Sequence, residues 1–178
     1  MSIFNISLFI LRLLANLNTK SLLLLLTLKA QANTTWSADK RFKDSGDQTI
    51  LDTKTGLIWM KEDSYLQSGH WNNWFESIKL IKQMNKKGFA NQYDWQIPTI
   101  KELTTIYESN KTNSKVLGSG MKIHIDPIFA TEGSGNLWSI EENGYYNAFG
   151  IVLNTGKRFN SSKKSKFRKA FRAVRHSN

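Results

Sequence analysis

The sequence predicts an α+β domain in which two helices come early and several strands come late. Apolar residues recur at helical spacing after Trp71 and again after Pro98, and short apolar runs typical of strands follow from Ala148 onward. Two turn signals within residues 41–60 also bracket short apolar runs, which predicts a β-hairpin at the start of the domain. Helices and strands that are segregated along a chain are typical of the α+β class.

The first 32 residues differ from all that follow and are expected to be a signal peptide. Basic residues precede an apolar run at residues 21–28, and Ala30 and Ala32 supply the small residues of a cleavage site. The run is shorter than the roughly 20 apolar residues that a membrane-spanning helix needs. We expect cleavage after Ala32, with an uncleaved anchor as the alternative because residues 3–14 are also apolar. The protein is then secreted, periplasmic or on the cell surface, with no membrane span after cleavage.

Residues 33–40 are predicted to be a linker and residues 41–178 a single domain, since no repeat or low-complexity stretch interrupts them. The domain opens with the hairpin predicted over residues 41–60. Its turns, Ser45-Gly46-Asp47 and Thr53-Lys54-Thr55-Gly56, carry the Gly and short polar side chains that tight bends require.

Two amphipathic helices are predicted next. In the first, apolar side chains recur at steps of three and four, at Trp71, Trp74, Ile78, Ile81 and Met84. Asn72 or Asn73 is expected to cap its start, and Gly88 lies beyond its end. In the second helix, Thr99 and Glu102 have the spacing of a capping box.

The second helix is expected to end near Ser109. Residues 110–122 are polar and Gly-rich and predict a long loop. A strand is predicted over residues 148–153, followed by a turn at residues 154–156. Alternating side chains in residues 170–175 predict a final strand with one packed and one solvated face.

Composition limits the available chemistry. The chain has no cysteine, which excludes disulfides, thiol catalysis, thiolate metal sites and a lipid-modified cysteine at the amino terminus. Six Trp, ten Phe and five Tyr supply enough apolar surface for a core to form without cross-links.

Positive charge is concentrated at the carboxy terminus. Residues 33–178 hold 22 Lys and Arg against 14 Asp and Glu, and no acidic residue follows Glu142. The last 22 positions contain nine cations, at Lys157, Arg158, Lys163, Lys164, Lys166, Arg168, Lys169, Arg172 and Arg175. Such a field attracts polyanions.

Short motifs occur in a fixed order between residues 41 and 176. They are Arg41-Phe42, Gly46-Asp47, Asp52 with Thr55-Gly56-Leu57 and Trp59, Tyr93-Asp94-Trp95 with Ile97-Pro98-Thr99, Lys101-Glu102-Leu103, Ile125-Asp126-Pro127 with Phe129, Trp138-Ser139, and Arg172 with Val174-Arg175. Their order and spacing resemble the Lcl C-terminal domain family, a bacterial extracellular module. The resemblance implies a C-type-lectin-like fold with a small, mainly antiparallel twisted sheet. In that fold the amino- and carboxy-terminal strands pair beneath a loop-rich half that carries the binding surface.

Two departures from the family bear on structure and avidity. Relatives often carry one cysteine in the first helix and one in the last strand, and the corresponding residues here are Ile81 and Ala173. Because both cysteines are replaced together, we expect Ile81 and Ala173 to touch in the core. The founding relative is a collagen-like adhesin linked to sulfated glycosaminoglycan binding. This chain has no Gly-X-Y repeat, so the resemblance does not extend to trimers formed through a collagen stalk.

The basic carboxy-terminal region is the main candidate site. Residues 162–167 have the order of basic and other residues that is typical of heparin-binding segments, and clustered Lys and Arg bind repeated sulfates or phosphates. We predict polyanion binding by Lys157, Arg158, Lys163, Lys164, Lys166, Arg168 and Lys169. The alternatives are a solvated basic loop that protects an edge strand, and attachment to anionic lipid headgroups.

Aromatic and charged residues elsewhere are given other roles. Tyr145 and Tyr146 are candidates for stacking on sugar rings. Asp52 and Asp94 are expected, like Asp126, to cap turns and to pair with Arg172 or Arg175. The residues assigned to the structural framework are Trp59, Trp74, Trp95, Pro98, Asp126, Trp138, Arg172 and Arg175, together with Ile81 and Ala173.

No cofactor and no metal site are expected. His70, His124 and His176 are scattered without the spacing of zinc ligands. Calcium is the alternative, since lectins of this fold coordinate it near the residues that follow the late Trp. Those residues here are Glu141, Glu142 and Asn143.

An enzyme is not expected. Ser139, His124 and Asp126 can be combined into a hydrolase triad on paper, but no nucleophile-elbow sequence surrounds Ser139. Formylglycine-generating oxidases share the broad fold, but their chemistry uses cysteine, which this chain lacks.

We interpret the chain as a secreted or envelope-associated adhesion module that binds anionic glycans or another cell-surface polymer. The alternatives are an envelope protein-interaction or assembly subunit and, more remotely, an enzyme of unknown reaction. Nucleic acid is not expected as a partner, because the signal peptide directs the protein out of the cytoplasm.

Overall fold

Residues 34–116 and 119–177 are described by the computed structural model, so the predicted signal peptide lies outside the described residues. Contacts join Thr35–Asn178 into one unit. Within the described ranges the fold is α+β, with three α-helices and three mainly antiparallel sheets, where two helices and one small sheet were predicted. No helix of these ranges has the length and apolar character needed to cross a membrane.

The first sheet contains both ends of the domain. Its five strands have the order β1-β2-β3-β4-β11 and the bounds Thr35–Trp36, Phe42–Asp44, Thr49–Asp52, Leu57–Met60 and Val174–His176. The predicted hairpin becomes β2, β3 and β4, and its turns contain Gly46 and Gly56 at positive φ, which glycine adopts without strain. β11 is antiparallel to β4, with Val174 opposite Trp59. The predicted pairing of the terminal strands is confirmed.

The second sheet has the order β10-β7-β8-β9. Its strands are β7 Asn136–Asn143, β8 Asn147–Val152, β9 Lys157–Ser162 and β10 Lys169–Ala170. β8 contains most of the predicted strand and is antiparallel to both neighbours, whereas β10 is parallel to β7. The third sheet pairs β5 Ser114–Lys115 with β6 Lys122–Ile123, within the segment that was predicted to be only a loop.

The final strand predicted over residues 170–175 is divided between two sheets. β10 pairs with β7 and β11 pairs with β4, because Phe171–Ala173 cross from one sheet to the other. All six residues from Ala170 to Arg175 are buried, so the predicted solvated face is wrong. Arg172 lies in the crossing, where its guanidinium donates to the carbonyl oxygens of Met60, at 2.8 Å, and Lys61.

The three helices are α1 Ser64–Ser68, α2 Trp74–Lys87 and α3 Ile100–Ile106. α2 and α3 begin with full capping boxes, Asn73 with Glu76 and Thr99 with Glu102. In each box the first side chain accepts from the helix backbone and the glutamate accepts from the backbone of the cap. α3 ends before the predicted Ser109. α1 was not predicted, since five residues are too few to establish a helical period.

The residues assigned to the framework by sequence are largely buried. Trp59, Trp95 and Trp138 have at most 2% of their surface exposed, and Trp74 and Pro98 are also buried. Ile81 and Ala173 belong to one buried cluster, together with Met60, Trp95, Ile97 and Phe171. The predicted contact between Ile81 and Ala173 requires that both residues lie in one cluster, as they do. The contact itself stays a prediction.

Candidate functional site

A groove of about 500 Å³ lies where the β7–β8 turn meets the start of α2 and the segment that follows β9. Its lining includes Phe75, Glu142, Tyr145, Tyr146, Lys163 and Lys164, and we call it the tyrosine groove. Four of these side chains come from the two sets of ligand-binding residues that the sequence predicted. The fold therefore brings two members of the basic set and both predicted tyrosines together at one place.

The tyrosine groove exposes aromatic surface to solvent. Tyr145 is 84% exposed, Tyr146 75% and Phe75 51%. Gly144 turns the chain after β7 at a φ of 66°, and the two tyrosines follow it at the tip of the turn. Their rings pack edge to face with centroids 4.9 Å apart. Adjacent rings that remain in water are available to stack on a ring of a ligand.

Lys163 anchors this turn. It is only 5% exposed, its ammonium pairs with Glu142, and it donates to the carbonyl oxygens of Gly144 at 3.2 Å and Tyr145 at 3.0 Å. Its backbone N–H donates to the carbonyl oxygen of Tyr146. An ammonium has three protons, and all three are used within the turn. Lys163 therefore supports the turn that carries the two tyrosines, and its predicted contact with a ligand stays a prediction.

Three of the predicted cations are exposed and form no ion pair with any described residue: Lys157, Arg158 and Lys164. Lys164 lines the tyrosine groove, whereas the other two lie at the start of β9. The guanidinium carbon of Arg158 lies 4.1 Å from the centroid of the Phe149 ring. A cation over an aromatic face is attracted by the ring, and a guanidinium in this position keeps N–H groups that can donate to a ligand.

The other three predicted cations have contacts within the protein. Lys166 pairs with Glu76, and the guanidinium carbon of Arg168 lies 5.1 Å from the centroid of the Phe167 ring. Lys169 is half-buried, and its ammonium donates to the hydroxyl of Ser165 at 2.8 Å. Burial lowers the pKa of Lys169. These cations are therefore weaker candidates for ligand contact than Lys164.

The predicted aspartate–arginine pairs form in one case. Arg175 donates to Asp94 at 2.7 Å, and this hydrogen bond lowers the pKa of the Asp94 carboxyl. Arg172 has no carboxylate partner among the described residues, since its partners are backbone carbonyls. Asp52 pairs with Arg41 at 2.6 Å instead. The expectation that Asp52 pairs with Arg172 or Arg175 is wrong, because Arg41 occupies both of its carboxylate oxygens.

An ion-pair cluster around Lys111 was not predicted. The Lys111 ammonium contacts carboxylate oxygens of Asp126 at 2.7 Å, of Glu108 at 2.9 Å and of Asp39. Burial lowers the pKa of Lys111, but the three hydrogen-bonded carboxylates outweigh this effect and raise it above its usual value. Asp126 also accepts from the backbone N–H of Ile128, so it caps a turn as expected but pairs with Lys111 rather than with an arginine.

The acidic side chains do not assemble an open calcium site in the described part of the chain. Carboxylate oxygens of Asp39, Glu108 and Asp126 lie within 4.8 Å of one another, but the Lys111 ammonium lies among them. The predicted calcium residues have other contacts. Glu141 accepts from the backbone N–H of Ile100 at 2.9 Å, Glu142 pairs with Lys163, and Asn143 is exposed at the end of β7.

The three residues of the hypothetical hydrolase triad bond elsewhere. The Ser139 hydroxyl is buried and donates to the carbonyl oxygen of Phe149 at 3.0 Å. Nδ1 of His124 lies 2.7 Å from the carbonyl oxygen of Lys111, and Asp126 pairs with the Lys111 ammonium. Since none of these contacts joins two members of the triad, a nucleophile and base are not paired here.

A comparison with known families identifies the family of this domain. The sequence model of the Lcl C-terminal domain matches residues 48–175, which run from the start of β3 into β11 and include the tyrosine groove. No curated protein matches the chain closely enough to count as a relative.

Proposed function

The chain belongs to the Lcl C-terminal domain family, and on this basis we propose that it is a bacterial binding module that holds anionic glycans in the tyrosine groove. The observation that carries the proposal is the groove itself, where Tyr145, Tyr146 and Phe75 are exposed beside the unpaired Lys164. Aromatic faces stack on sugar rings, and an ammonium binds a sulfate or carboxylate of the same ligand.

The charge around the groove favours an anionic ligand. Glu142 lines the groove but pairs with Lys163, and no acidic residue follows it in the sequence. Lys164 thus adds positive charge that no described residue neutralises. Lys157 and Arg158 add more on the same sheet. A surface of one sign attracts ligands of the other, and this attraction weakens as salt is added.

A C-type-lectin-like fold and an exported location are parts of the proposal. The pairing of β4 with β11, and the two capped helices between them, support that fold. The signal-like residues 1–32 and the extracellular character of the family support a secreted, periplasmic or cell-surface protein whose partner is an anionic polysaccharide or cell-surface polymer. We propose no catalytic activity and no resident cofactor.

Elution from heparin resin tests the proposal. The wild-type protein should need more salt for elution than either Lys164→Glu or the double variant Tyr145→Ala/Tyr146→Ala. Lys54→Glu is the control, because it makes the same change in charge at an exposed turn of the first sheet. It should elute close to the wild type. Equal elution of the wild type and Lys164→Glu would refute the proposal, and a glycan array at two salt concentrations would identify the ligand.

The second candidate is a subunit that binds another envelope protein through aromatic contacts. Phe75, Tyr145, Tyr146 and Phe167 are each more than half exposed, and aromatic residues are enriched in protein interfaces. Salt dependence separates the two candidates. Binding led by charge weakens steeply as salt rises, whereas binding led by aromatic contacts changes little.

A further inference from the structure

We propose that the glycan site extends beyond the tyrosine groove along the open edge of β9 to Lys157 and Arg158. The ligand is then an internal stretch of an extended anionic polysaccharide, longer than a disaccharide. This inference rests on the proposed function and adds the length and form of the ligand to it.

β9 has the position and length that such an extended site requires. We call the strip along its open edge, from Lys157 to Ser162, the track. It is the last strand in the order β10-β7-β8-β9, so one of its edges has no strand partner among the described residues. Ser162, at the end of β9, lines the tyrosine groove, and Lys157 stands at its start. Five steps of about 3.3 Å separate these two residues, which is about 17 Å. A disaccharide cannot bridge that distance, but a hexasaccharide can.

The far end of β9 provides unpaired positive charge. Lys157 and Arg158 are exposed and form no ion pair with the described residues. The Arg158 guanidinium lies over the Phe149 ring, and its N–H groups can donate to a sulfate or carboxylate. Two cationic ends on one strand match a polymer that carries repeated anions.

Polar side chains connect the two ends. Asn160 and Ser162 are exposed along β9 and supply hydrogen-bonding groups for sugar hydroxyls. Neither β8 nor β9 contains an acidic residue that would repel the ligand. Cations on an edge strand also prevent two sheets from joining. Arg158→Glu would keep a charge on the edge strand, and with it this protection, but would weaken ligand binding. This charge reversal therefore distinguishes edge protection from ligand binding.

Titration calorimetry with heparin-derived oligosaccharides of different length tests the track. The wild-type protein should bind a sulfated hexasaccharide at least about tenfold more tightly than the sulfated disaccharide, because the second contact is intramolecular once the first has formed. Arg158→Glu should reduce this ratio to about threefold or less, with little change for the disaccharide. Lys54→Glu, which makes the same change in charge on the first sheet, should keep the full ratio.

The possible results distinguish this inference from the proposed function. If the disaccharide and the hexasaccharide bind equally well, the groove binds sugars but the track is wrong. If Lys54→Glu loses as much of the ratio as Arg158→Glu, the length effect reflects net charge and the track is also wrong. If neither oligosaccharide binds, the proposed function fails and the track fails with it.

Discussion

The two large sheets differ in how they use positive charge. Around the first sheet, four cations are paired with carboxylates, whereas Lys54 in an exposed turn has no such partner among the described residues: Arg41 pairs with Asp52, Lys61 with Asp44, Lys111 with Asp126 and Arg175 with Asp94. At the edge of the second sheet, Lys157, Arg158 and Lys164 lack such partners among the described residues. A paired cation stabilises the fold, whereas an unpaired one remains available for a ligand. The position of acidic partners, rather than the number of basic residues, thus distinguishes these paired cations from the cations that the proposed function assigns to a ligand.

Replacement of Lys111 by Met should have the largest effect on stability. It removes the charge that Asp39, Glu108 and Asp126 share while it keeps the apolar stem, and it leaves three crowded carboxylates. We expect a loss of about 3 kcal/mol in the free energy of unfolding, measured by urea denaturation.

Lys54→Met is the control for that experiment, since Lys54 is exposed and makes no ion pair with a described residue. It should change stability by less than about 0.5 kcal/mol. Equal stability of Lys111→Met and the control would mean that the paired cations of the first sheet are not structural.

Acid should weaken the paired cations of the first sheet. The hydrogen bond from Lys111 holds the pKa of Asp39 well below its usual value. Burial raises the pKa of Asp52, but Arg41 together with the hydrogen bonds from Thr55 and Lys54 lowers it by more. Because these pKa values lie lower in the folded state, their stabilisation is present above about pH 5 and is lost as the pH falls towards the folded values.

The measurement is the denaturation midpoint as a function of pH from neutral to strongly acidic solution. The wild type should lose stability below about pH 5, and Lys111→Met should lose less of it, because the pKa of Asp39 is no longer depressed. An identical acid dependence in the two proteins would contradict the role assigned to Lys111.

Beside the second sheet, Lys163 is paired with a carboxylate, unlike Lys157, Arg158 and Lys164. Lys163→Met tests whether this paired cation stabilises the fold. This variant should lose about 1 to 2 kcal/mol of stability, because Glu142 and two turn carbonyls lose a nearly buried donor. It should also bind heparin less tightly, because the two tyrosines lose their support and Glu142 is left as an unpaired negative charge in the groove.

Lys164→Met is the matched comparison at the next residue. It should be as stable as the wild type and should bind with a reduced salt dependence, because it removes a cation that meets the ligand. The assignment of Lys163 as an anchor fails if Lys163→Met is as stable as Lys164→Met.

Elements with local signals were predictable from the sequence. α2 and α3 begin at capping boxes whose members are three residues apart, so a short window contains the whole signal. α1 depends on Asp63, whose carboxylate caps the helix and also accepts from the backbone N–H of Ser134. No pattern within α1 itself indicates that distant contact.

Contacts between distant residues explain what the sequence did not predict. The aromatic pair at Tyr145 and Tyr146 was identified from its composition, but the burial of Lys163 depends on Glu142, 21 residues earlier. Lys111 likewise gathers carboxylates from Asp39 and Asp126, which lie 72 and 15 residues away. A count of basic residues cannot tell paired from unpaired cations, because the pairing is set by the register of strands and the course of loops.

Hydrogen exchange of the whole protein, with and without a sulfated hexasaccharide, tests most directly whether the second sheet carries the binding surface. The ligand should slow amide exchange in residues 142–146 and 157–166, which include the β7–β8 turn and β9. Exchange around the Lys111 cluster and in β2 and β3 should be unchanged. Protection centred on the paired cations of the first sheet, or no protection in either region, would contradict the account.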